Sequence, residues 1–486
     1  MDDGSEIVAV ADLNKFVTDC FMTIGVSKLY SEIMADAIVG ADTVGHNSHG
    51  VYRLEKFLSD VESGLVDVLG TPKIEKETPA TAWVDGQNLL GPVVGNFCMK
   101  LAIEKAKQTG AAIVVANNSN NFGVASNYSK QAADEGLIGL AFTNSSSLML
   151  PTRAKYSITG TNPISLSAPG ESDDIFLLDM ATTVTSGGHI QIKYENGEYL
   201  PVGWAFNAAC ISETNADVGL KSGRFLPLGS YEEGASYKGT GLSIMVDILC
   251  GILGAAAYSS RVGIWTTSFT KHNANVGHCF IAINPDFFAP GFQTRMSEFM
   301  SAIRNVKPVD PNRPVRVAGD KRYNLSKTIA KFGGIKYEKS LVETLRKLSE
   351  KFKLKCVPFL PRRKSLDEVS FHGSYHSEAD KLSGTIKFSE SEEMLSVKEF
   401  KSTLKEIPFM IQDPSEWCCP FSEASEITAT ENLRKKRQRL LSMMYERRYK
   451  RATLMRSIAF VPIEKKSVYT DIDEIIETQP TSKKLF

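Results

Sequence analysis

The chain has 486 residues, with 56 basic and 56 acidic side chains. That length suffices for two or three domains with self-stabilising cores, and the balanced charge gives no global field to draw the molecule to nucleic acid or an anionic membrane. Eight cysteines (Cys20, Cys98, Cys210, Cys250, Cys279, Cys356, Cys418, Cys419) form no CxxC pair and no regular framework. This argues against a disulfide scaffold or a thiolate metal site and fits reduced thiols. The acidic start MDDGSEIVAV has neither a secretory nor a mitochondrial leader pattern, so the expected localisation is cytoplasmic.

In chain order, Leu13, Phe16, Val17, Cys20 and Ile24 fall on one helical face ending at Gly25, and Leu29, Ile33 and Ile38 open a second helix. The stretch ADTVGHNSHGVYRL (41–54) follows. Val51, Leu54, Leu58 and Val61 then recur at helical spacing, which predicts a third helix with Ser48 as N-cap and with His49 and Arg53 on one face. A helix through Met99 and Ala106, the strand AAIVVAN, the loop NSNNFG, a helix to Gly136 and the strand LIGLAFTN read as a βαβ unit. Its strands are expected to be parallel, so the loops 118–123 and 145–148 leave one sheet edge, where ligands of α/β sheets bind. The turn GTNP (160–163), the strand FLLD ending at Asp179, LPVGWAF, and YKGTGL opening an apolar helix come next. The stretch 241–258 has about the length of a membrane span, but it carries Asp247 and glycines and reads as a buried helix. The strand-like GHCFIAINP follows, and after about residue 340 the chain turns polar and charged.

A dehydrogenase acting on a 2-hydroxy acid needs a cation for the carboxylate, a proton acceptor for the hydroxyl and a floor for the nicotinamide. Arg53 has the fork geometry for a carboxylate, His49 titrates near neutral pH, and Ser48 can orient the histidine or the substrate. The same spacing fits an ordinary capped helix with a surface ion pair. Neither GxGxxG after a strand nor GxxxxGK[ST] is present, so no Rossmann fingerprint or P-loop is claimed. Lys238, before an apolar helix, is placed to meet a phosphate, and Ser145 at a strand end can donate a further hydrogen bond; a solvated lysine and a turn serine are the plainer alternatives.

The motifs GHNSHGVYRL, LAIEKAKQTG, GTNPISLSAPG, LDMATT, LPVGWA, KGTGLSIMVDILCGILGA and GHCFIAINP, in this order from about residue 5 to about 335, resemble the malate/L-lactate dehydrogenase-like family. That family also holds ureidoglycolate and sulfolactate dehydrogenases and is distinct from the Rossmann-type enzymes. The resemblance implies an α/β fold, with a non-Rossmann nucleotide-binding domain packed against a helical domain. It also implies an oxidoreductase using NAD or NADP, a homodimer and no metal. Ser48, His49 and Arg53 would line the substrate site, with Arg53 on the carboxylate. Ser145, Asp179, Met180, Ala181, Lys238, Asn275, Val276 and Gly277 match positions that hold the dinucleotide.

One departure matters. In NSNNFGVAS the family usually has a histidine, thought to be its acid/base, where this chain has Asn121. An asparagine cannot exchange a proton near pH 7, and loss of a general acid/base costs about 10² to 10⁴ in rate. Either His49 takes the proton, the preferred reading because it shares a helix face with Arg53, or His46 does, although its place before the cap suggests a solvated ring. The rival reading is a catalytically silent dinucleotide-binding protein. The expected organisation is a helical domain with the substrate motif over 5–75, the nucleotide-binding α/β domain over 76–260 and a return segment over 261–340. A charged, partly disordered C-terminal extension of unknown role is expected over 341–486. Its basic segment 432–456 suits RNA, an acidic partner or a membrane surface, or belongs to a disordered tail.

Overall fold

Helical periodicity and capping build the N-terminal elements. After β1 (Glu6–Val8), Leu13, Phe16, Val17, Cys20 and Phe21 form the buried face of α1 (Val10–Thr23). The Ser27 hydroxyl accepts from the Tyr30 N–H to cap α2 (Lys28–Thr43). In this computed structural model, residues 5–263 and 273–360 are described. Two short 3₁₀ turns, Asn47–His49 and Val51–Arg53, lead into α3 (Leu54–Glu62). The hairpin β2 (Lys73–Glu77) and β3 (Thr81–Asp85) is followed by α4 (Gly91–Thr109), β4 (Ala111–Ser119), α5 (Ser126–Asp134) and β5 (Ile138–Thr143). Next come β6 (Ile164–Pro169), β7 (Ile175–Met180) and α6 (Gly187–Glu195), then the small hairpin β8 (Ala205–Phe206) and β9 (Ser212–Glu213) and helix α7 (Ala216–Ser222). Helix α8 (Tyr237–Val246) widens into a π turn over Asp247–Ile252. The last described elements are β10 (Val276–Ile283), α9 (Phe292–Arg304), α10 (Asp320–Phe332), β11 (Ile335–Tyr337), α11 (Lys339–Phe352) and β12 (Phe359–Leu360).

The main sheet has seven strands in the order β2-β3-β4-β10-β5-β6-β7. Strands β4 and β5 run parallel to each other, as the βαβ reading expects, but they are not neighbours, because β10 lies between them and antiparallel to both. Side-chain alternation covers both faces. Ala112, Val114 and Ala116 of β4 pack under Cys98, Met99 and Ala102 of α4, whereas Val115 meets Val246 and Cys250 of the α8 segment on the other side. That segment is therefore buried on one face only. Ile244, Met245, Ile248, Ile252 and Leu253 are exposed, which corrects the expectation of a buried helix. Among the described residues no helix is long and apolar enough to cross a membrane.

A second core joins α1, α2 and α3 to β11 and α11. Strand β1 pairs with β11 on one side and β12 on the other, and Val342, Leu345 and Leu348 of α11 are buried against the N-terminal helices. The packed chain thus continues to Leu360. The rest, including the basic segment 432–456, lies outside the described residues.

Candidate active site

The stretch between α2 and α3 is not the capped helix expected from its spacing. Asp42, near the end of α2, is buried, and its Oδ2 accepts from the Val51 N–H at 2.9 Å and from the Tyr337 hydroxyl at 2.7 Å. Its carboxylate fills the space beside Gly50, where a Cβ would lie 1.8 Å from Oδ1. The chain consequently breaks at Gly50 into two 3₁₀ turns. Ser48 caps no helix, and His49 and Arg53 sit on separate turns rather than one α-helical face. The Val51 N–H is given to the protein's own carboxylate.

Helix α6 braces this turn. Ser48 is buried, with its Cβ so close to α6 that a Cβ on Gly188 would lie 2.4 Å away. The Ser48 hydroxyl lies 3.0 Å from His49 Nδ1. Arg53 donates from Nε to the Ser48 carbonyl (3.0 Å) and from Nη1 to Gln191 Oε1 (3.3 Å), and the neighbouring Tyr52 hydroxyl bonds Glu195 at the end of α6.

The motif meets the sheet at Asp179. Strands β3, β4, β5 and β7 end, and β6 and β10 begin, along one edge, and Asp179 stands there one residue before the end of β7. Its Oδ2 accepts from the Ser126 N–H (3.0 Å) and pairs with Arg322 Nη1 (3.3 Å). Arg322 also bonds the Ser126 hydroxyl (2.7 Å) and His46 Nε2. His46 is therefore not a solvated ring; the guanidinium of α10 holds it against the sheet edge. Burial opposes ionisation of Asp179, but His46, Arg322 and Ser126 together hold its carboxyl below the usual range.

The histidines are tuned the other way. Burial, then the Arg322 cation, lowers His46 to about 3. Burial, then Arg53, lowers His49 to about 4. His189 on α6 is lowered to about 4 by burial and then by Lys321. All three rings are neutral at pH 7, and each stands within the electrostatic reach of another. His189 and Arg322 escaped the sequence reading. His189 follows the Ser186 cap shortly after MATT, a visible signal, whereas Arg322 lies 276 positions from the ring it bonds.

The remaining expected site residues distribute as follows. Asn121 is in the loop after β4, where its Oδ1 accepts from the Gly123 N–H at 2.9 Å. Ser145, after β5, is bonded through its hydroxyl to Thr161 (3.2 Å) and through its N–H to Asn162 (3.0 Å). Met180 closes β7 opposite Ile164, and Ala181 follows it. Lys238 is exposed in the first turn of α8, and Asn162 ties that helix to the sheet edge through Ser243. Asn275 accepts from the Asn118 N–H at 2.8 Å, and Val276 and Gly277 open β10. Behind them His278, fully buried, bonds Thr143 and Ser119 at 2.8 Å each and stacks on Phe122, so it ties together the ends of β4 and β5. Among the described residues no group of three His, Cys, Asp or Glu is arranged to hold a metal ion.

The family model described as malate/L-lactate dehydrogenase matches residues 8–346. A malate dehydrogenase of Pyrococcus abyssi is 38% identical over 346 residues, which cover 71% of this chain and 94% of that one. A malate/(S)-sulfolactate dehydrogenase of Methanothermus fervidus is 32% identical over 72% of this chain and 98% of its own length. Among solved structures, malate dehydrogenase of Pyrococcus horikoshii OT3 superposes with a TM-score of 0.66 at 35% identity, covering 73% of this chain and 98% of that one. On sequence and fold together, the chain belongs to the malate/L-lactate dehydrogenase family.

Proposed function

We propose that the protein oxidises a small 2-hydroxy acid such as malate or lactate, or reduces the matching 2-oxo acid, with NAD or NADP. The observation that supports this most is the meeting of two sets of groups: the paired turns that carry His49 and Arg53 bring His49 within electrostatic reach of Asp179, at the sheet edge where the expected dinucleotide residues gather. Arg53 holds the substrate carboxylate. His49, whose Nδ1 is engaged by Ser48, holds the hydroxyl proton at Nε2.

The edge also fits a dinucleotide. Asn117 Oδ1, near the end of β4, is buried and without a hydrogen-bond partner among the described residues, an acceptor suited to a ribose hydroxyl or a carboxamide N–H. Lys238 would meet a phosphate, Ser145 and the backbone of Met180 and Ala181 would line the site, and the start of β10 (Asn275, Val276, Gly277) would close it. Asp179, engaged by Arg322 and Ser126, would act chiefly by ordering the edge. When bound, the nicotinamide accepts or returns a hydride. A second copy of the chain covers the exposed apolar face of Ile244, Ile248 and Ile252, an arrangement suited to a homodimer.

A second reading is supported by Asn121, whose carboxamide closes its own turn onto Gly123: a dinucleotide-binding protein without turnover. The test is oxidation of NADH and NADPH by the full-length protein against oxaloacetate, pyruvate and sulfopyruvate. Turnover that Arg53→Ala lowers about 10²- to 10³-fold, the scale of a charge-assisted bidentate contact, supports the dehydrogenase. An unchanged kcat/KM in Arg53→Ala overturns it. NADH binding without turnover, rescued by Asn121→His, supports the silent reading.

A further inference from the structure

Asp42 takes no part in binding or proton transfer as described above, yet it is a buried carboxylate at the centre of the substrate motif. Its two oxygens are treated unequally. Oδ2 accepts from the Val51 N–H and the Tyr337 hydroxyl, whereas Oδ1 has no hydrogen-bond partner among the described residues and abuts the backbone of Gly50. A half-satisfied buried carboxylate is costly for a fold, and a fold that keeps one has a use for it. Here the use is geometric. The Val51 N–H would otherwise continue a helix from His49 into α3; captured by Asp42, it leaves the two 3₁₀ turns that separate His49 from Arg53.

We propose that Asp42, held by Tyr337 of β11, is a positioning residue whose carboxylate fixes the Gly50–Val51 break and so sets Arg53 and His49 for the two ends of one substrate. This rests on the carboxylate role given to Arg53. It makes the substrate site depend on a strand almost 300 residues away in sequence, since Tyr337 brings β11 to the end of α2.

The ionised form does this best, because its hydrogen bonds are charge-assisted and about twice as strong as neutral ones. Burial pushes Asp42 up to about 7, with the Val51 and Tyr337 hydrogen bonds acting in the opposite direction. The titratable group facing it from β11 is Tyr337, whose hydroxyl burial raises well above its usual value, so it stays a donor throughout. From the turn Asp42 receives only the Val51 amide and the Gly50 backbone. His46, His49 and His189 are displaced to about 3 to 4. Protonation of Asp42 therefore predicts an acid limb in activity near pH 7.

The test uses the full-length protein and compares it with Asp42→Asn, which keeps an acceptor for both donors, and Tyr337→Phe. In the unaltered protein, kcat/KM for the 2-oxo acid is expected to fall below about pH 7. In Asp42→Asn, KM at pH 8 rises about three- to tenfold, the scale of one weakened hydrogen bond. In the same variant kcat changes less than twofold, dinucleotide affinity is unchanged and the limb is absent. In Tyr337→Phe the limb moves to higher pH, because a hydrogen bond that stabilises the carboxylate is gone; this variant decides the matter if Asp42→Asn does not fold. Unaltered KM and limb in the variants overturn the proposal. If no 2-oxo acid is turned over, the role of Arg53 fails first, and Asp42 is judged by amide hydrogen exchange of residues 47–54 corrected for intrinsic rates. Protection lost below pH 7 in the unaltered protein but not in Asp42→Asn upholds it; protection independent of pH in both overturns it.

Discussion

The same carboxylate yields a stability prediction that does not depend on activity. Asp42 is raised from 3.8 to about 7 and is 2% exposed, so little solvent screening reduces its linkage. For an acid whose folded pKa lies above its unfolded one, the unfolded state releases the proton first. Stability is full below pH 3.8 and is lost as pH rises towards 7. At about 1.4 kcal/mol per pH unit the loss reaches about 4 kcal/mol above pH 7. Asp42→Asn removes this titration, but it places an amide N–H₂ where Oδ1 has no partner among the described residues, at a cost of about 1–3 kcal/mol that does not vary with pH. The expected result is a difference curve, the stability of Asp42→Asn minus that of the unaltered protein. It rises by about 1.4 kcal/mol per pH unit between about pH 4 and 7, and it is flat above. Urea unfolding at fixed protein concentration from about pH 4.5 to 8.5, with m-values compared, reads it directly. A flat difference would mean that the carboxyl titrates alike folded and unfolded, and one that falls with pH that the carboxylate is stabilised in the fold; either result would refute the reasoning.

Two further predictions concern the supports of the site. Arg322→Met removes the cation beside buried Asp179 and the partner of His46; it should cost about 3–5 kcal/mol in urea unfolding near pH 7.5, and a loss below about 1 kcal/mol would show the ion pair to be incidental. Ile248→Asp charges the exposed face of the π turn, and sedimentation velocity should show it sedimenting more slowly than the unaltered protein, as loss of the proposed homodimer requires; equal sedimentation would overturn the placing of a homodimer interface on this face.

Much of the fold is legible in the sequence because its signals are local. The apolar run AAIVVAN becomes β4, the period of Leu13 to Cys20 becomes α1, and FLLD ends a strand at the sheet edge. Insertion of β10 between β4 and β5 is not local, since it joins residues 276–283 to strands 130 or more positions earlier. Helix α11 was hidden for another reason. Its buried Val342, Leu345 and Leu348 sit in a stretch so rich in lysine and glutamate that composition reads as a solvated tail. At the site, the residue types of SHGVYR suggested a substrate-binding motif, but the helix face joining His49 to Arg53 did not survive, because a carboxylate nine residues before Val51 took the N–H that the helix required.

The burial that hides these partners also opposes the linkages of the site. A histidine whose folded pKa is depressed is neutral in the fold while its unfolded form binds a proton, so stability is full above about pH 6.5 and is lost as pH falls towards the folded value. For fully buried His278, lowered to about 3 chiefly by burial, that loss amounts to about 2 kcal/mol by pH 5, and His46, His49 and His189 add losses of the same sign. Asp42 has the opposite sign and loses stability as pH rises to about 7. No pH relieves both: below about 6 the rings favour unfolding, and above about 7 the carboxylate does. A core chosen for stability alone would carry apolar side chains at Asp42 and His278. Keeping charged and titratable groups there fixes the turn and the strand ends on which Arg53, Asn121 and Ser145 stand, so the stability given up is concentrated where the geometry of the site is set.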